Sequence, residues 1–145
     1  MRTPVLLGLT TIVLSGCQTP DAALTTNATA ASLSAPAAGA IAGDMAARLA
    51  EQADPMTVRT ITMKNDRSSY AVSLEAALKG WGYTVVADGV AVNGAKPTVL
   101  AWSVGDIDGQ VFAQLSTPTT ALGRAYTPTA SGADPVSPLS VLKSD

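Results

Sequence analysis

Residues 68–87 read SSYAVSLEAALKGWGYTVVA, and this stretch decides the fold class. Tyr70, Leu74, Ala77, Leu78 and Trp81 recur at the spacing of one helical face. Ser68 and its polar neighbours Lys64-Asn65-Asp66-Arg67 supply capping side chains before it. Gly80 and Gly82 supply the left-handed turn that stops it. The chain then re-enters as a β-rich run, Tyr83 to Ala87. A capped amphipathic helix running directly into a strand is the signature of a layer of helix on sheet.

Upstream, residues 39–53, GAIAGDMAARLAEQA, carry a second stripe. Ile41, Met45 and Leu49 fall at intervals of four with Ala38, Ala42 and Ala46 beside them, while Asp44, Arg48, Glu51 and Gln52 lie off it. Gly39, Gly43 and Ala47 form a small-residue series, which here predicts a helix lying closely on a sheet; Asp44, Arg48 and Glu51 forbid a membrane span. Asp54-Pro55 ends the helix, and residues 57–63, TVRTITM, read as a strand with Val58 or Ile61 and Met63 inward.

Downstream the period changes to two. Asp88-Gly89 and Asn93-Gly94 are tight-turn dipeptides around Val90-Ala91-Val92. Residues 98–104 form a strand, Asp106-Ile107-Asp108-Gly109 a turn, and residues 110–116 a strand with Val111, Ala113 and Leu115 on one side and Phe112 on the other. Trp102 and Phe112 read as paired strand residues. Residues 120–127 make the last expected strand, with Leu122 and Tyr126 opposed to Ala121, Gly123 and Ala125. The expected fold is α+β: a small antiparallel or mixed sheet with two helices on one face, over residues 39–127. Residues 128–145 contain Pro128, Pro135 and Pro138 among small polar residues and read as a disordered tail.

The chain opens MRTPVLLGLTTIVLSGC. Arg2 is followed by an apolar run from Pro4 to Leu14, too short for the roughly 20 residues that a helix needs to span a bilayer. It has the flanks of an export signal. Leu14-Ser15-Gly16-Cys17 resembles the bacterial lipobox, which implies a signal peptide of residues 1–16, peptidase recognition through Leu14, Ser15 and Gly16, and lipid on the Cys17 thiol. Each buried methylene contributes about 0.8 kcal/mol, so two or more acyl chains hold stably in a membrane. Gln18 stands where Asp would retain such a protein in the inner membrane, which implies the outer membrane, facing the periplasm. Residues 17–38, rich in Thr, Ala, Ser and Pro, read as a lipidated flexible tether; Asn27-Ala28-Thr29 matches a glycosylation acceptor by pattern only and is read with it.

Composition excludes much chemistry. The chain has 145 residues, no His and one Cys. It therefore forms no internal disulfide, no zinc site built on His or Cys, and no mechanism with a histidine base. Without residues 1–16 it carries eight Lys and Arg against eleven Asp and Glu, net −3, which argues against nucleic-acid binding. Asp106-x-Asp108-Gly109 lacks the further oxygen ligands of a calcium loop and reads as a hairpin turn. Gly39-Ala40-Ile41-Ala42-Gly43 lacks the Lys of a phosphate loop. Asp54, Asp66 and Asp88 are isolated, and no spacing pairs Lys64, Lys79 or Lys96 with a serine nucleophile. No catalytic residue, metal or cofactor is expected. Trp81 and Tyr83, flanking a glycine at a helix end, either close the core or form a partner-contact patch.

The lipobox together with PAAGAIAGDMAARLAEQ (36–52), LEAALKGWGYTV (74–85), QVFAQLSTPTTALGRAYTPT (110–129) and the closing SPLSVLKSD resembles the TrbH family of conjugal transfer lipoproteins. The resemblance implies a structural subunit of a type IV secretion, mating-pair apparatus, in a multi-subunit ring with other core-complex subunits. It also implies a domain similar to the N-terminal domain of secretins. A different class remains open: a surface-exclusion or envelope-binding lipoprotein acting in recipient recognition, using Trp81 and Tyr83.

Overall fold

The computed structural model describes residues 33–86 and 96–145. The expectations for Leu14, Ser15, Gly16 and Cys17, for the tether up to residue 32, and for the turns around Val90–Val92 lie outside these residues.

Helix α1 spans Ala35–Gln52. It starts four residues before the expected point because Ser34 caps it, its hydroxyl accepting from the Ala37 N–H at 3.3 Å, and a proline occupies the first turn. Ala38, Ile41, Ala42, Met45, Ala46 and Leu49 are its buried face. The small-residue series is not the packing surface. Gly39 is exposed, and a Cβ added at Gly39 or Gly43 would meet no atom within 4 Å. Helix α2 spans Ser69–Gly80, capped by Ser68, whose hydroxyl accepts from Ala71 N–H at 3.1 Å. Its stop is made by Gly82 alone of the two glycines, at φ +103°, with Gly82 N–H bonding Lys79 O and Tyr83 N–H bonding Leu78 O. This is the Schellman arrangement, closed by the buried pair Leu78 and Tyr83.

The strands are β1 (Thr60–Met63), β2 (Thr84–Val86), β3 (Thr98–Ile107), β4 (Gln110–Ser116), β5 (Thr120–Pro128), β6 (Ala133–Pro135) and β7 (Ser140–Lys143). They form one seven-stranded mixed sheet in the order β2-β1-β3-β4-β5-β6, with β7 also pairing β5. β1 lies parallel to both β2 and β3, and the rest is antiparallel. The α+β class with two helices therefore holds. β1 begins at Thr60 rather than 57, because Thr57 and Val58 N–H groups bond back to Asp54 O in a turn after α1.

A two-residue turn joins β3 and β4, with Asp108 at φ 52° and Gly109 at φ 81°. Both values belong to the turn type whose twist suits a hairpin. It pins Ile107 opposite Gln110, and the ladder then places Trp102 opposite Leu115 and Phe112 opposite Gly105. Trp102 and Phe112 are thus not partners and lie on opposite faces. Inward residues Leu100, Trp102, Val104, Val111, Ala113, Leu115, Leu122 and Tyr126 join both helices in one core. Tyr70 of α2 packs on Trp102 with ring centroids 5.2 Å apart, and the Trp102 indole donates to Lys64 O at 2.8 Å. Ala101, Ser103 and Gly105 of β3, Phe112, Gln114 and Ser116 of β4, and Ala121, Gly123 and Ala125 of β5 face away from the helices.

The reading of residues 128–145 as a disordered tail is corrected. β6 pairs Tyr126–Pro128 and β7 pairs Thr120–Gly123, covering the side of β5 that β4 leaves open. Main-chain hydrogen bonds attach most of the segment, and Ala133 and Leu139 pack against the core.

Candidate functional site

Two side-chain constellations stand out. The first joins α1 to β5. Asp44 Oδ2 accepts from Arg124 Nη1 at 2.9 Å and from the Tyr126 hydroxyl at 2.7 Å. Its Oδ1 accepts from Arg48 Nε at 3.4 Å, and Arg48 also reaches Glu51 at 2.8 Å. Partial burial pushes the Asp44 carboxyl up, but the Tyr126 hydroxyl, the Arg124 charge and the Arg48 hydrogen bond outweigh it and hold it below the ordinary carboxylate value. Arg124 also donates through Nε to Ser137 O at 3.1 Å, and the Ser137 hydroxyl accepts from Ala125 N–H at 2.9 Å. One guanidinium thereby ties together helix, sheet and C-terminal segment. The cluster has no nucleophile and every charge is paired, so its chemistry is that of a clasp.

The second is a cleft of about 550 Å³ where α1 ends and α2 turns into β2. Glu51, Asp54, Pro55, Met56, Arg59, Trp81 and Thr84 line it. Trp81 is 52% exposed and Met56 76%. Trp81 is the C-cap of α2, still in right-handed backbone ahead of Gly82, and its ring lies beyond the end of the buried stripe. Tyr83, two residues on, is buried, and its hydroxyl donates to Ala53 O. Burial and, second, the Asp54 charge push its phenol up to about 12. The two aromatics named from sequence therefore divide: Tyr83 closes the core and anchors the end of α1, and Trp81 presents a ring to solvent beside Met56.

The remaining sequence candidates serve structure. Asp106 Oδ1 accepts from Gly109 N–H at 3.4 Å within the hairpin turn. Lys79 pairs with Glu75 at 2.7 Å. Among the described residues no group of three or more Cys, Asp or Glu is placed to hold a metal, and no helix is long and apolar enough to cross a membrane. Sequence reading missed the Asp44–Arg124–Tyr126 cluster. The signal was Arg124 itself, a cation at an inward position between Leu122 and Tyr126, which demands an acid from another element.

Comparison with known proteins gives the class. The family described as conjugal transfer protein TrbH matches residues 19–145. The chain is 53% identical over 146 residues to the probable conjugal transfer protein TrbH of Sinorhizobium fredii (strain NBRC 101917 / NGR234), covering 99% of each chain. No solved structure matches. The chain belongs to the TrbH family of conjugal transfer proteins.

Proposed function

We propose that this protein is a lipid-anchored structural component of a conjugative type IV secretion apparatus, helping to fix its core complex to the outer membrane for plasmid transfer. One observation carries the anchoring role: Leu14-Ser15-Gly16-Cys17 follows a basic and apolar leader in a chain of a conjugal transfer family. Lipid on Cys17 moors the chain, the residues after it span to partner subunits, and the α+β body stands in the periplasm. Gln18 after the Cys supports outer-membrane placement. No step of catalysis is assigned to it. The exposed Trp81–Met56 cleft is the surface offered to other core-complex subunits.

The test is plasmid transfer by a donor lacking the gene, complemented with the unaltered chain or with Cys17→Ser. Transfer should be lost on deletion, restored by the unaltered chain and not by Cys17→Ser. The unaltered product should take up labelled fatty acid and fractionate with the outer membrane. Normal transfer by the deletion donor would reject the role, and an unlabelled product would reject the anchor.

Trp81 also favours a second reading, an envelope-binding or surface-exclusion lipoprotein. Under it, deletion changes a cell's ability to act as recipient and leaves donor ability intact.

A further inference from the structure

We propose that the cleft between the ends of α1 and α2 takes an arginine side chain on an extended segment of a partner protein, its guanidinium stacked on Trp81 and paired with Asp54. This rests on the reading of the cleft as a surface for other subunits, and names the chemistry of what enters it. The loop Asp54-Pro55-Met56 lies against the turn that follows Trp81, since a Cβ at Gly82 would stand 3.8 Å from Pro55 Cβ. A carboxylate, a thioether and an indole ring thereby line one cleft of about 550 Å³. Both Trp81 and Met56 are exposed there.

The charges decide the sign of the occupant. Asp54 accepts the Met56 N–H at 2.9 Å through Oδ1 and has no cationic partner among the described residues. Glu51, also on the lining, is already held by Arg48 at 2.8 Å. Arg59 lines the cleft as well and offsets one carboxylate. Two helices end here, α1 at Gln52 and α2 at Gly80. The C-terminus of a helix carries roughly half a negative elementary charge. The last turn of α1 holds no basic residue, and Lys79 in the last turn of α2 is taken up by Glu75 at 2.7 Å. The balance over the cleft is negative, and a positive side chain completes it. An acidic peptide or a nucleic acid would meet Asp54, Glu51 and both helix ends with Arg59 alone in its favour. The exposed indole selects among cations. A guanidinium is planar and weakly hydrated, so it lies flat on an aromatic face while its N–H groups donate to a carboxylate. The cleft is larger than one guanidinium, and Met56 offers apolar surface to the residue beside it. The occupant is therefore a chain segment rather than a free ion.

The test is binding of a short probe peptide, acetyl-Ala-Leu-Arg-Leu-Ala-amide, to the purified full chain in detergent. Fluorescence reads Trp81 over the constant emission of buried Trp102, and calorimetry reads the Trp81 variant. The arginine peptide should bind saturably and change the exposed-tryptophan emission. Replacing arginine by its neutral analogue citrulline, or by glutamate, should weaken binding by about tenfold or more. Asp54→Asn keeps an acceptor for the Met56 N–H and should weaken the arginine peptide by more than about fivefold, with circular dichroism unchanged. Trp81→Ala should weaken it likewise. No saturable binding at millimolar peptide would overturn the proposal, as would equal binding of the citrulline or glutamate peptide, or indifference to Asp54→Asn. Arginine amide binding as tightly as the peptide would make the ligand a free cation and would also overturn it. Plasmid transfer reports separately: transfer lost on deletion with no peptide selectivity rejects this occupant and leaves the role in the apparatus standing.

Discussion

Arg124 Nη1 lies 2.9 Å from Asp44 Oδ2, joining β5 to α1 across eighty positions of sequence. Each partner keeps about a quarter or less of its side chain in solvent, so the pair is screened less than a surface bridge. Its value also lies in the groups it organises, the Tyr126 hydroxyl on one side and the Ser137 carbonyl on the other.

Arg124→Ala should destabilise the protein by about 1–3 kcal/mol, because it strips a charge-assisted partner from a half-buried carboxylate. Urea denaturation measures this. Hydrogen exchange should accelerate first in residues 133–143, since Arg124 holds Ser137. Uniform acceleration across the domain would reject the clasp.

The same carboxylate makes stability depend on pH. The folded-state pKa of Asp44 is lowered, so its contribution is fully present above the ordinary value of 3.8 and is lost as pH falls through the lower folded value. The urea midpoint should fall below about pH 4. Asp44→Asn should lower stability at neutral pH and flatten that acid slope. Glu75 is held down mainly by its Lys79 and Asn65 hydrogen bonds and should leave a smaller residual slope.

Gly123 lies beneath a cross-strand ring. A Cβ there would approach Phe112 Cζ to 3.1 Å, tighter than ordinary contact. Gly123→Val should cost about 1–3 kcal/mol. The Phe112→Ala background should remove much of that cost, which a double-mutant cycle measures. Equal costs in both backgrounds would show that the ring is not the obstacle.

Gly82 sits at φ +103°, where a Cβ is strained although the nearest foreign atom, on Pro55, is 3.8 Å away. Gly82→Ala should therefore cost about 1–2 kcal/mol through backbone conformation alone. Thermal unfolding reports it.

Trp81 and Tyr83 should separate cleanly in mutagenesis. Trp81→Ala should change stability by about 0.5 kcal/mol or less, as at other exposed sites, while lowering transfer if the cleft meets a partner. Tyr83→Phe should cost about 1 kcal/mol by leaving the Ala53 carbonyl without its donor. A Trp81→Ala protein that unfolds early would place Trp81 in the core.

Much of this fold is legible because its signals are local. Ser68 and Gly82 bracket α2, the period of four runs through Ile41, Met45 and Leu49, and Asp108-Gly109 sets the hairpin. That turn even contained the register: once Ile107 faces Gln110, Trp102 must face Leu115. Pairing Trp102 with Phe112 weighed residue type above the count from the turn. The Trp81–Tyr83 site was half legible, since the helical period runs on through Trp81 and cannot say that the core ends before it, while Tyr83 folds back onto the end of α1.

The sequence by itself determined the two helices with their caps, the alternating strands and the hairpin turn, because each depends on neighbours a few residues apart. Tertiary structure alone decided that β1 lies parallel between β2 and β3, that residues 133–143 complete the sheet, and that Asp44 meets Arg124. These depend on partners distant in the chain. A short polar segment becomes a strand only when an open edge offers it hydrogen bonds, and an inward arginine is tolerable only where the fold delivers a carboxylate.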